Sequence, residues 1–230
     1  MILGAGGLGC PAALALAEAA QARGLPLRLV LVDDDRVERS NLARQILFRE
    51  QDVGSFKSPT AAARLRELGG EGRAPLAVEH LVERFTAANA SRILAGADVL
   101  LDGTDNFETR FAANDAALEA GVPLVHGAAL GFTGQLLTIL PGRSACLRCL
   151  FEGPPPPDAL PTCAEAGVAA PLCGVVGASM AEEAMLLLTG RPPRAASLLF
   201  TWTGHAGSER RVAVPVDRSC RCAGRAAQAS

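Results

Sequence analysis

The chain opens Met1-Ile2-Leu3-Gly4-Ala5-Gly6-Gly7-Leu8-Gly9-Cys10-Pro11, and this stretch decides the fold. Ile2 and Leu3 read as the end of a strand. Gly4, Gly6 and Gly9 follow at G-x-G-x-x-G spacing, with Gly7 among them. Glycines so placed let the backbone turn sharply and come close to a bound group. Residues 11–23 are rich in Ala and Leu and read as a helix, with Pro11 near its first turn, where a missing N–H costs little. Residues 27–32 form an apolar run that ends in Asp33-Asp34-Asp35. Such a run suits a parallel strand buried on both faces. Strand, glycine turn, helix and strand together are the opening of a doubly wound sheet.

The rest of the chain extends that reading. Ser40 is a candidate N-cap for a short helix over 41–48, and Ser58-Pro59 opens another to about Leu68. Strands are expected at 76–81, 98–101 and 122–125, with helices at 87–94 and 107–120 between them. The strand at 98–101 runs into Asp102-Gly103-Thr104-Asp105-Asn106. Ligands of open α/β sheets bind beyond the carboxyl ends of the strands, where both acidic clusters fall. Past His126, residues 128–140 read as a β-hairpin, broken by Gly131 and Gly134. A long loop over 151–168 contains four consecutive prolines, Pro154 to Pro157. A helix over 171–188 and strands at 197–202 and 209–214 follow. The expected fold class is α/β: a Rossmann-like, mostly parallel sheet with an antiparallel extension. It is read as one domain over 1–225 with a frayed tail at 226–230. Only Met1 to Leu3 precede Gly4, against about five residues in a usual strand. A late start is therefore expected, with part of the first strand missing.

Composition narrows the class. The chain is 49% hydrophobic and 20% charged, with a net charge of −2, so no basic excess marks a nucleic-acid binder. No apolar run reaches the roughly 18 residues of a membrane span. The N-terminus lacks the charged and apolar regions of a signal peptide, so a cytoplasmic location is expected. Seven cysteines without an export signal argue against a disulfide framework. Four of them form two close pairs, Cys146/Cys149 and Cys220/Cys222, which read as metal ligands or redox groups.

The glycine turn and Asp33, placed to bind ribose hydroxyls, do not distinguish NAD from ATP. The following segment does: Asp33-Asp34-Asp35-Arg36-Val37-Glu38-Arg39-Ser40-Asn41-Leu42-Ala43-Arg44-Gln45, then Lys57, then Thr104-Asp105-Asn106. Cys146-x-x-Cys149, Thr162-Cys163-Ala164-Glu165-Ala166-Gly167-Val168 and Pro171-x-x-Gly174-x-x-Gly177 come next in order. In this series the sequence resembles the ThiF/MoeB/HesA family, relatives of the ubiquitin-activating enzymes, over nearly its whole length.

The resemblance implies an ATP-dependent adenylyltransferase acting on the C-terminal carboxylate of a ubiquitin-like sulfur-carrier protein of the thiamin or molybdopterin type. It implies ATP binding by Gly4, Gly6, Gly7, Gly9, Asp33, Asp35, Asn41, Arg44, Gln45, Lys57, Asp105 and Asn106. Among these, Asp33 holds the ribose, Asn41, Arg44 and Lys57 contact the phosphates, and Asp105 positions Mg²⁺. Arg44, Lys57 and Asp105 are the implied catalytic residues. Lys57 is the single lysine among 22 Lys plus Arg, and it falls at the family's lysine position. A compact ammonium is wanted there.

Cys146, Cys149, Cys220 and Cys222 are implied to form a structural Cys₄ zinc site, although Cys220-Arg221-Cys222 is C-x-C, one residue short of the family's spacing. Cys163 is a candidate for a covalent link to the carrier. Cys10 and Cys173 read as core residues, and His126 as a hydrogen-bonded structural histidine. A homodimer and a separate sulfur donor, such as a cysteine desulfurase, are the further partners implied.

Three other readings compete. A dinucleotide-binding oxidoreductase explains the glycine turn and Asp33 but leaves Arg44, Lys57, Asp105 and the paired cysteines unused. A degenerate, non-catalytic family member that binds a partner is motivated by the short start, since the resemblance implies a helix ahead of the glycine turn that is missing here. A relative that dehydrates a modified tRNA base uses the same adenylation, and the paired cysteines argue against it.

Overall fold

Successive residues of a strand point to opposite faces of its sheet, and the apolar run at 27–32 shows the consequence. Leu29 and Leu31 enter one hydrophobic layer, and Val30 and Val32 the other. A strand flanked this way needs cover on both sides, which only helices on both faces supply. The computed structural model, which describes residues 1–151, 153 and 167–223, has that arrangement.

Strands β1 (Ile2–Leu3), β2 (Leu27–Val32), β3 (Leu76–Leu81), β4 (Leu100–Asp102) and β5 (Leu124–Leu130) pair in parallel. Antiparallel strands β6 (Thr133–Ile139), β7 (Leu198–Thr203) and β8 (Ser208–Ala213) extend the sheet beyond β5. The order is β3-β2-β1-β4-β5-β6-β7-β8. On one face lie α1 (Gly9–Ala22), α2 (Lys57–Arg66) and α6 (Ala170–Leu188), with Ile2, Leu31, Leu101 and Val125 beneath them. On the other lie α3 (Ala90–Leu94), α4 (Phe107–Ala120) and the single-turn α5 (Leu147–Leu150), over Leu3, Val32, Leu100 and Leu124.

Helix α6 is long and apolar enough, by length and composition, to cross a membrane. In this fold it is a core helix set against α1 and the β5–β6 hairpin. A Cβ on Gly177 would come within 2.6 Å of Pro11 Cγ and 2.8 Å of the Leu8 carbonyl, so the two helices meet where only glycine fits. Glu183 of α6 is buried and fully engaged. It accepts hydrogen bonds from the Thr138 hydroxyl at 2.6 Å and from the amides of Arg194 and Ala195 at 2.9 and 3.0 Å. A buried carboxylate is tolerable when so satisfied, and here it anchors the connection into β7.

The structure departs from the sequence reading in three places. The helix expected over 41–48 is instead a 3₁₀ turn, Arg39–Asn41, followed by irregular turns. The buried Asn41 offers its carbonyl to the amides of both Arg44 and Gln45, at 3.1 and 3.0 Å, so the chain tightens and does not propagate. Ser40 does not cap; its hydroxyl donates to Glu38 at 3.3 Å. The helix expected at 87–94 shrinks to Ala90–Leu94, because Asn89 Oδ1 accepts from the Thr86 amide at 2.8 Å and holds 86–89 in a turn. The separate strand at 122–125 and the first arm of the hairpin are one strand, Leu124–Leu130, paired on both edges.

Candidate active site

The strand order reverses between β1 and β4, and the crevice of such a sheet opens at that point beyond the carboxyl ends. A cleft of about 280 Å³ lies there, lined on one side by Gly4, Gly6 and Gly7, and on the other by Thr104, Asp105 and Asn106. Gly4 has φ +83°, a conformation that favours glycine, and its amide bonds the Val32 carbonyl at 2.9 Å. Gly9 does not line the cleft. A Cβ there would lie 1.7 Å from the Gly4 carbonyl oxygen. Its role is to let α1 start directly against the turn.

Asp33, at the end of β2, ties the turn to the acidic segment. Its Oδ2 accepts the Ala5 amide at 2.6 Å and its Oδ1 the Asp35 amide at 2.8 Å. Burial pushes the Asp33 carboxyl above its ordinary value, against the opposing pull of Lys57 and these amides. Lys57 is 6% exposed at the start of α2, and its Nζ lies 2.8 Å from Asp35 Oδ2. The backbone holds the same pair together, with the Lys57 amide on the Asp35 carbonyl at 2.9 Å. An ammonium is thereby fixed in the wall of the cleft, beside the glycine turn.

Arg44 lays its stem over Gly7. Its guanidinium donates to Asn41 Oδ1 at 2.8 Å and to the Ser40 carbonyl at 3.3 Å. Asn41 is therefore placed behind Arg44 and does not itself line the cleft. Gln45 does, at 3% exposure, and its Oε1 has no hydrogen-bond partner among the described residues. Asp105 is exposed on the opposite rim and forms no ion pair among the described residues. Asn106 lines the cleft and caps α4, its Oδ1 accepting the Thr109 amide at 2.8 Å.

His126 is hydrogen-bonded, as expected of a structural histidine, but Asp102, Arg110, Glu83, Arg84 and Phe85 were given no role by the sequence. Asp102 is fully buried, and its Oδ2 lies 2.8 Å from His126 Nδ1. Its Oδ1 accepts both the Thr104 amide at 3.0 Å and the Thr104 hydroxyl at 2.7 Å. Arg110 clamps the Thr104 carbonyl with two bonds, at 3.0 and 2.7 Å. These contacts fix the loop that presents Asp105. Glu83, Arg84 and Phe85, just past β3, close the far edge of the cleft, with Arg84 on Asp34 at 3.4 Å. Their signal was positional: they follow the carboxyl end of an expected strand.

Burial pushes the Asp102 carboxyl up, but the hydrogen bond and charge of His126, the Arg110 charge and the Thr104 hydroxyl outweigh it, and the group sits below its ordinary value. A depressed carboxylate contributes stability that is complete above its unfolded value, about 3.9, and lost as pH falls through the lower folded value. His126→Gln removes much of that depression. Its acid unfolding, followed by circular dichroism, is expected to begin at a higher pH than that of the unaltered protein. An unshifted acid transition would show that His126 does not stabilise the Asp102 carboxylate.

On the opposite face of the sheet, the sulfurs of Cys146, Cys149, Cys220 and Cys222 all lie within 4.8 Å of one another. The close pairs are Cys146–Cys220 at 3.6 Å and Cys149–Cys222 at 3.4 Å. The C-x-C pair thus reaches the C-x-x-C pair despite its shorter spacing. Cys10 is buried in α1, donates to the Ala5 carbonyl at 3.3 Å, and has its thiol pushed up to about 12 by burial. Cys173 is buried and borders the cleft next to Gly7. Cys163 lies outside the described residues.

Comparison with known proteins agrees with this geometry. The chain is 44% identical over 188 residues to the SAMP-activating enzyme E1 of Haloferax volcanii, covering 82% of this chain and 66% of that one. It is 41% identical over 229 residues to the sulfur carrier protein adenylyltransferase of Thermus thermophilus, covering 97% of this chain and 81% of the relative. The adenylyltransferase and sulfurtransferase MOCS3 of Drosophila yakuba is 39% identical over 215 residues, covering 93% of this chain. The chain spans only 45% of that relative's length. Among solved structures, E. coli MccB with ATP superimposes with a TM-score of 0.82 over 97% of this chain and 66% of its own, at 19% identity, a likeness of fold. The ThiF family matches residues 1–223. With its glycine turn, acidic strand end and buried lysine gathered at one crevice, the chain belongs to the ThiF family.

Proposed function

We propose that this chain uses ATP to adenylate the C-terminal carboxylate of a ubiquitin-like sulfur-carrier protein. The observation that carries this reading is the buried Lys57, fixed by Asp35 beside a glycine turn that Arg44 also overhangs. Two cations at a glycine turn suit the phosphates of a nucleoside triphosphate. In a dinucleotide site for hydride transfer the pyrophosphate sits on the glycine turn and helix N-terminus, which leaves these two cations without an assigned role. The names of the relatives from Haloferax, Thermus and Drosophila point the same way.

In the reaction, an oxygen of the carrier's carboxylate attacks the α-phosphorus of ATP. The bond from that phosphorus to the bridging oxygen breaks, and an acyl-adenylate and pyrophosphate result. Negative charge grows on the α-phosphate and on the departing pyrophosphate. Lys57 and Arg44, already held in place, stabilise it without reorganising. Gly6 and Gly7 permit close approach of the phosphates. The two Asp33 oxygens each keep acceptor capacity for ribose hydroxyls. Asn41 orients Arg44, and Asp102, His126 and Arg110 orient the Asp105 loop. Mg²⁺ would neutralise phosphate charge, and Asp105, a hard oxygen donor with no competing ion pair among the described residues, is the residue to hold it. No side-chain nucleophile is needed for this step.

The four gathered cysteines fit zinc. Tetrahedral Zn–S bonds of about 2.3 Å put sulfurs roughly 3.8 Å apart, close to the observed pairs. Four thiolates leave no open position, so such an ion staples β8's trailing segment to α5 and takes no part in adenylation. A homodimer, and a thiamin- or molybdopterin-type carrier, complete the reading.

ATP–pyrophosphate exchange with Mg²⁺ and a panel of carrier proteins tests it. Exchange should depend on one carrier and vanish when its terminal residue is removed. A folded, zinc-loaded protein that supports no exchange with any carrier would overturn the assignment.

A further inference from the structure

The arginines that separate the cysteines converge on one carboxylate. Arg148 lies between Cys146 and Cys149, and Arg221 between Cys220 and Cys222. Arg148 meets Asp115 of α4 with two parallel bonds, Nε to Oδ1 at 2.8 Å and Nη2 to Oδ2 at 2.9 Å. Arg221 Nη1 reaches Asp115 Oδ2 at 2.8 Å. The neighbouring Asn114, wholly buried, accepts the Leu147 amide at 3.0 Å through Oδ1 and donates to Asp115 at 3.1 Å. Phe111, one turn earlier on α4, lies under the Arg148 guanidinium at 5.0 Å. One face of one helix therefore grips both cysteine segments, which are otherwise separated, among the described residues, by two strands and α6.

We propose that Asp115 is a positioning residue for the metal centre, setting the four sulfurs in place and holding two guanidinium cations beside them. The inference rests on the zinc reading above. Four thiolates around one divalent ion leave net negative charge, which has to be balanced where the site is shielded from water. Asp115 supplies that balance indirectly. Its carboxylate pins Arg148 bidentately, which limits the freedom of the C-x-x-C turn. Its third arginine bond fixes Arg221, which occupies the single position between the C-x-C sulfurs. The shorter spacing of that pair has a geometric counterpart here: the one intervening residue is the one that docks to α4. Outer contacts of this kind commonly change metal affinity by about 10–100-fold when removed.

Asp115→Asn and Asp115→Ala should retain the far-UV circular dichroism of the full chain while losing zinc to a chromogenic chelator about 10–100-fold more readily. Cobalt substitution should show altered d–d bands, a change that mere loss of stability does not produce. Asp115→Glu should recover part of the affinity, and Arg221→Gln, on the more exposed arm, should give a smaller loss of the same kind. Glu79→Gln breaks an exposed pair of similar geometry, Arg28–Glu79 at 2.7 and 2.8 Å, and serves as the control that leaves zinc unaffected. Wild-type zinc retention and an unchanged cobalt spectrum in both Asp115→Asn and Arg221→Gln would overturn the role of Asp115 and leave the zinc site standing. A wild-type protein that binds neither zinc nor cobalt would overturn the zinc reading and this inference with it.

Discussion

Lys57→Ala is expected to lower ATP–pyrophosphate exchange by about 10²–10³-fold, the scale seen when one fixed donor is removed from a developing charge. The residue is 6% exposed, and its partner Asp35 is half in water. Loss of the ammonium therefore strands no buried carboxylate at Asp35. Asp33 is the group that feels the change, because the Lys57 charge opposes the upward push of burial on its carboxyl. The thermal transition should move little while exchange collapses. Lys57→Arg should rescue poorly: the planar guanidinium is larger than the ammonium and has little room in a wall closed by Asp35 and α2. Exchange near the wild-type rate in Lys57→Ala, with the fold intact, would remove Lys57 from the mechanism.

The second large effect separates two uses of glycine in one turn. Gly9→Ala places a methyl 1.7 Å from the Gly4 carbonyl oxygen and 2.8 Å from its carbon. Neither atom belongs to a flexible side chain, so α1 and the turn must move apart. Strain of that kind costs about 3 kcal/mol, and chemical denaturation should report it, together with exchange lowered to background. Gly6→Ala meets only Gln45 Nε2, at 3.9 Å. Its stability should stay near wild type, and its defect should appear in ATP affinity, because the added methyl stands where phosphates approach. Equal stability loss in the two variants would show that Gly6 is also a packing glycine.

What could be read in advance follows from how local the determinants are. The glycine turn, α1 and β2 were legible because spacing and apolar runs lie within thirty-odd residues of chain and each agrees with the next. The single lysine stood out by composition alone. The segment after Asp35 was misread as a helix because Ser40 looks like a cap, whereas the buried Asn41 decides the geometry through contacts no local pattern shows. The Asp102–His126 pair depends on the register of β4 with β5, which places the two residues opposite one another. Asn41 was expected to touch phosphate and stands one layer back, behind Arg44. The cysteine pairs announced themselves, but Asp115 did not, since nothing in a helix sequence marks which acid faces a distant turn.

The strand at the centre of the sheet also sets the order in which the molecule can assemble. β5 and β6 are joined by a tight turn, and hairpins of this kind close in microseconds. β1 offers only Ile2 and Leu3, and these must find Leu31 and Val32 on one side and Leu101 and Asp102, almost a hundred residues along the chain, on the other. Loop-closure entropy makes that the costliest strand pairing in the sheet to close. The β5–β6 hairpin can therefore form while the crevice between β1 and β4 does not yet exist. On the function proposed above, ATP would bind only the finished crevice and so draw the folding equilibrium towards the native state.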